Sequence, residues 1–262
     1  MESNTQQPIN SHNSTHNSES ELTPTAKRQK TEHHHSTTTE AMSTSPILES
    51  LQLEHVPATH SVHVAVFRDV ENAAFLHQQL LARNAEFEYA LIDAGVITSR
   101  LQVLSAAFRA ITVQLAGTMK TPNVHSEIVY SLSPANNIVE AYRRHGITPT
   151  TRDLIIVKVL VTPAASSSPS TAAAETASII TSDEDTKPPL TSQDVEGHLR
   201  THVQGRPVPF TDETLSEITD WGRVRKYYKL NGMGWLEGIK DQATKKKEMG
   251  MLVMGGMALR GV

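Results

Sequence analysis

Cysteine is absent from the 262 residues. That excludes a disulfide framework and any zinc site built on thiolates. Long apolar runs are missing as well. No stretch approaches the roughly 20 residues that a membrane-crossing helix requires, so no membrane contact is expected. The opening MESNTQQPIN lacks the apolar core of a secretory signal, which makes an intracellular protein the default. Hydrophobic residues are only 38% of the chain and charged ones 20%, a low apolar content for a globular protein of this size.

The shortage is uneven. Residues 1–60 are polar and nearly free of apolar runs, and 163–190 are biased to Ala, Ser, Thr and Pro. Neither can bury enough apolar surface to offset an ordering cost of roughly 1–2 kcal/mol per residue. The expected organisation is therefore a disordered tail at 1–50 and a single domain at 51–262, interrupted by a disordered loop at 163–190. Residues 1–60 hold three basic and seven acidic side chains, and 163–200 hold two and six. Each segment has a net charge of −4 and the whole chain is −4, so the remainder has +4. A mildly basic body permits contact with nucleic acid without arguing strongly for it. The cluster AKRQK, Ala26 to Lys30, reads equally as a nuclear import signal and as solvated tail.

What remains has the pattern of an α/β domain, a small mixed four-stranded sheet flanked by helices. SVHVAVF (Ser61–Phe67) is a strand candidate buried on both faces. A helix capped by Asp69 and ending near Asn84 follows, then a short strand at Phe87–Ile92. The helix from Ser99 to about Ala116 has two stripes. Leu101, Leu104, Phe108, Ile111 and Leu115 form one, and Val103, Ala106, Ala107, Ala110 and Val113 the other. Both read first as core, with the small-residue stripe as the alternative partner face. Val124 to Leu132 alternate as a strand would. Ser133 and Pro134 then suit the start of a helix that ends at a left-handed Gly146. DLIIVKVLV (Asp153–Val161) is another strand. Helices are expected from Thr191, over Thr211–Trp221 and from about Asp241, with a half-exposed basic strand at Arg223–Leu230.

The segment NVHSEIVYSLSPANN gathers His, Ser, Glu and Asn as an active site often does. A hydrolase triad needs its side chains to converge, and on a strand His125 and Glu127 point away from Ser126. The polar groups read better as caps and edges. NGMGWLEGIK (Asn231–Lys240) matches neither glycine-rich phosphate motif, and His33–His35, His55, His60 and His63 lack metal spacing. No catalytic residue, cofactor site or metal site is assigned. Binding candidates are Val103, Ala107 and Ala110 with the Met-rich terminus, Met251 and Met254, for a protein partner. Lys120, Arg143, Arg144, Arg225 and Lys226 are the candidates for RNA, the last two beside Tyr227 and Tyr228.

The segments VFRDVENAAFLHQQL, MKTPNVHSEIVYSLSPANNIVEAYRRHGI and DLIIVKV resemble the kinase-binding subunit of the KEOPS (EKC) complex, the TPRKB or PRPK-binding protein family. The likeness spans about Leu51 to Val161 and continues through VRKYYKL to LVMGGMALRG. The long tail and the Ala/Ser/Thr-rich insert depart from the family pattern and suggest a fungal-type member. The resemblance implies a small mixed sheet with flanking helices and a non-catalytic subunit that binds and supports an atypical kinase/ATPase. It implies contact with the other KEOPS/EKC subunits and work in threonylcarbamoyl-adenosine modification of tRNA, with tRNA itself a further partner. Links to telomere maintenance and transcription, and a nuclear location, belong to the same expectation. The rival reading is an independent RNA- or DNA-binding module.

Overall fold

The computed structural model describes residues 46–162 and 189–260, all within one compact unit. Most of the tail and insert expected to be disordered therefore lies outside the described residues. The exceptions correct the tail boundary at 50. Leu48 is buried, and strand β1 (Glu49–Leu51) pairs with β2 (His60–Arg68), so the folded body begins before residue 50.

Among the described residues the sheet has five strands and every pairing in it is antiparallel, where a mixed four-stranded sheet was expected. β4 (Leu154–Val161) is central, flanked by β2 in the register Val64↔Val157 and by β3 (Ala90–Asp93) in the register Ile92↔Ile155. β1 and the short β5 (Arg206–Val208) share the far edge of β2, one opposite Val62–Val64 and the other opposite Val66–Arg68. β2 and β4 read as nearly unbroken apolar runs because both of their faces are covered. Val62, Val64, Val66, Ile155, Val157 and Val159 join one core; Ala65, Phe67, Leu154, Ile156 and Leu160 join the other. Helices α1 (Ala73–Leu81) and α5 (Ser192–His202) cover the second face. The first is covered by α2 (Arg100–Leu115), α3 (Val124–Ser131), α6 (Asp212–Ile218), α7 (Trp221–Tyr227), α8 (Gly234–Glu237) and α9 (Gln242–Ala258). Between α3 and β4, α4 (Ile138–His145) leads to Ile147, whose N–H donates to Leu91 O at 3.0 Å.

Several expectations change. Val124–Ser131 is a helix, because the same letters also carry Val124 and Ile128 at i, i+4 and the Asn123 side chain accepts from Ser126 N at 2.8 Å. The next helix starts at Ile138 under an Asn137 cap, while the Ser133 hydroxyl accepts from Ala135 N in the turn before it. Gly146 has φ −76°, not a left-handed value; a Cβ there would lie 2.8 Å from Tyr142 O, so close approach explains this glycine. Asp69 is itself left-handed (φ 54°), and Asn72 occupies the cap position of α1. The basic strand expected at Arg223–Leu230 is mostly α7, whose Asp220 cap accepts from Gly222 N and Arg223 N. Phe87 closes a short 3₁₀ turn, and β3 begins only at Ala90.

Candidate partner-binding surface

The polar run 123–137 is spent on the scaffold. Glu127 Oε2 accepts from Lys120 N (3.1 Å), Thr121 N (3.0 Å) and the Thr121 hydroxyl (2.6 Å), clamping the loop ahead of α3. His125 Nε2 accepts from Val159 N at 3.0 Å. β3 begins at Ala90, opposite Val157, and this imidazole takes a β4 amide two residues beyond that pairing. An accepting Nε2 places the ring proton on Nδ1, which faces Glu88 Oε1 at 3.6 Å. Burial lowers the His125 pKa, and the contact with His125 lowers that of Glu88. Ser126 N donates to the Asn123 cap at 2.8 Å. His125 is thus spent on β4 and Glu127 on the loop ahead of α3, and no triad assembles from the three.

Both stripes of α2 read first as core, and the structure keeps that reading for the small one. Val103, Ala107 and Ala110 are 0% exposed, in the core shared with α3. As partner-facing residues they are therefore corrected: small side chains point inward because α2 lies close to its neighbours. Most of the larger stripe points out, although its Ile111 is 0% exposed in the same core. Leu101 is 61%, Phe108 39% and Leu115 53% exposed, with Leu104 half-buried at its base. The sequence held the signal, since Ala and Val stripes let helices approach closely, and core was the first reading of both stripes.

Helix α9 lies alongside. Arg109 donates to Met257 O and Arg260 O at 3.1 Å each, and a Cβ on Gly250 would meet Thr98 Oγ1 at 4.0 Å. The two helices therefore run in the same direction. Met249, Val253 and Met257 are buried, leaving Met251 at 61% exposure and Met254 half-buried on the flank that turns toward α2. Arg260 pins the far end. It stacks on Tyr130 at 4.0 Å and donates to Tyr130 O, at the end of α3. Two rigid helices consequently present apolar ridges to solvent.

The basic candidates separate. Arg143 and Arg144 both close on Glu140, which they pull down to about pKa 2, and Arg144 also lies over Tyr227 at 5.3 Å. Arg225 closes on Glu237, which takes Lys245 as well. Lys120 and Lys226 are exposed with no ion pair among the described residues. Arg144, Arg225 and Lys226 gather around α7, and Lys120 stands apart in the loop before α3. Trp235 escaped the sequence reading. It projects from α8 at 55% exposure, and its signal was a lone indole among glycines. A concavity of about 990 Å³ runs between α1, α3 and α4, lined by Leu80, Leu81, Phe87, Ile138, Val139 and Tyr142.

Among the described residues no three His, Asp or Glu side chains are placed to hold a metal ion. No described helix is long and apolar enough to cross a membrane. The geometry defines an α/β scaffold that displays apolar helix faces. The chain belongs to the family described as kinase binding protein CGI-121, whose sequence model matches residues 67–261. Among its relatives, the EKC/KEOPS complex subunit CGI121 of Gibberella zeae is 54% identical over 215 residues, covering 82% of this chain and 99% of that protein. The subunit of the same name from Neurospora crassa is 51% identical over 218 residues, covering 82% and 99%. That of Schizosaccharomyces pombe is 30% identical over 200, covering 76% and 93%.

Proposed function

We propose that this chain is a non-catalytic subunit of an EKC/KEOPS complex that binds and supports the complex's atypical kinase. The observation that carries this reading is the near full-length match to proteins named as that subunit, within a family described as kinase-binding. The work of the complex on this reading is threonylcarbamoyl-adenosine modification of tRNA, with telomere and transcription links and a nuclear location as its further expectations. The exposed ridge Leu101–Phe108–Leu115 with Met251 and Met254 is the docking face. Apolar side chains of this size left in water on two adjoining helices are the usual mark of a protein contact. A stable contact should bury at least about 1,200 Å² in total. Tagged full-length chain should bring down the kinase at one-to-one stoichiometry. Phe108→Asp with Leu115→Asp should abolish capture while the melting curve is unchanged, because both side chains leave the core intact. Normal capture by that variant would remove the ridge from consideration.

A second reading has its own support. Residues 221–247 carry eight basic and two acidic side chains, and Trp235 stands exposed among them. Lys226, Lys229 and Lys240 would meet phosphates while the indole stacks a base. Lys226→Glu with Trp235→Ala should then weaken tRNA retention and flatten its salt dependence. Unchanged retention would dismiss direct tRNA contact here.

A further inference from the structure

The two ridges are charged in a lopsided way. No acidic residue occurs from Ala94 to Ser126, so α2 has only Arg100 and Arg109 as charges, and α9 has Lys245, Lys246 and Lys247 against Glu248. Most of these cations already have partners within the fold. Arg100 makes a two-pronged pair with Glu49, Arg109 caps carbonyls of α9 and Lys245 bonds Glu237 at 2.9 Å. Lys246 lies over Trp221 at 5.8 Å. Lys247 is exposed and has no ion pair among the described residues. Its spacing to Met251 and Met254 is i, i+4, i+7, which puts all three on one side of α9. The apolar ridge therefore has a cationic head, at the end of α9 where the helix begins.

We infer that the partner surface received by this face has an apolar centre with carboxylates at one end, and that these meet Lys246 and Lys247 and set the docking orientation. This rests on the reading of the ridge as the kinase-binding face. Apolar contact supplies affinity, whereas opposite charge at the rim speeds encounter and selects the register. Lysines at a rim act through association rate and are screened by salt. A nucleic acid would also be drawn to them, but the apolar side chains with which Lys247 shares its ridge fit a protein better.

The test is stopped-flow association of the full chain with the kinase subunit at low and high salt. Lys246→Glu with Lys247→Glu should slow association by about tenfold at low salt and leave the dissociation rate nearly unchanged. Lys246→Met with Lys247→Met should fall between that variant and the unaltered chain. Association rate and salt slope equal to those of the unaltered chain would overturn the inference, as would an effect confined to RNA retention. Phe108→Asp separates the two levels: kinase binding that survives it overturns the ridge assignment itself, whereas loss there with no effect of the lysines overturns only the acidic rim.

Discussion

His145 ends α4 fully buried, with the rings of Tyr227 and Tyr228 at 6.1 and 5.8 Å. Burial pushes its pKa from 6.5 down to about 4, and the nearby Arg144 and Arg223 push the same way. In the unfolded chain the imidazole takes up its proton near pH 6.5. Between pH 6.5 and 4 the unfolded state thus binds a proton that the folded state refuses. Stability contributed by the neutral ring is full above pH 6.5, falls as the pH drops and levels off below about 4. The shift corresponds to a loss on the order of 3 kcal/mol. His63, His125 and His198 are lowered by burial too, so they add in the same direction. Urea unfolding should show a lower midpoint at pH 5 than at pH 7.5, and His145→Gln should narrow that gap. A midpoint constant across this range would refute the burial argument. His125 gives a second measure. His125→Ala leaves the Val159 amide buried without its acceptor, which should cost about 1–3 kcal/mol at pH 7.5.

Helix α2 converts a residue pattern into two surfaces with opposite tolerance. Ala107 lies against the core with no exposure, so Ala107→Leu should overpack it and cost about 1–3 kcal/mol. Phe108, one residue on, faces water, and Phe108→Ser should change stability by less than about 0.5 kcal/mol while weakening kinase capture. Equal thermal shifts from the two substitutions would contradict the orientation of the helix. The extent of α2 was legible in advance from Ser99, whose hydroxyl caps Gln102 N, and from the 3–4 spacing of its leucines. That most of the larger stripe would be left facing water was not, because hydrophobicity ranks Leu above Ala whereas close helix packing selects for small side chains. α3 was misread for a related reason. Eight residues that satisfy a period of two also satisfy i, i+4, and one of the contacts that fix the helix, His125 on Val159, is tertiary. The antiparallel pairing of β2 with β4, distant in the chain, was likewise invisible to local patterning, though both strands were found.

At the scale of the whole molecule, the N-terminal edge is a tie between parts remote in sequence. β1 covers Val62–Val64 on the open side of β2, Leu48 is buried beneath it, and Ile47 N donates to Glu196 of α5 at 3.3 Å. Glu49 receives both guanidinium arms of Arg100 at 2.8 and 2.7 Å, and Arg100 also stacks on Phe210 at 4.7 Å and donates to its carbonyl. One short strand therefore links α5, the sheet, the first turn of α2 and the segment before α6. Removing residues 1–45 leaves each of these contacts in place and serves as the reference. Removing residues 1–52 deletes three sheet pairs, a buried leucine and the carboxylate that neutralises Arg100. It also bares a strand edge able to pair with another chain. Such a loss, several kcal/mol in sum, is a large share of a domain's typical 5–15 kcal/mol. The longer truncation should melt well below the shorter one and aggregate on heating. Kinase capture should weaken in parallel, because Arg100 anchors the start of the same helix that displays Leu101 and Phe108. Identical melting curves for the two truncations would show that β1 only decorates the sheet and that α2 holds its place without it.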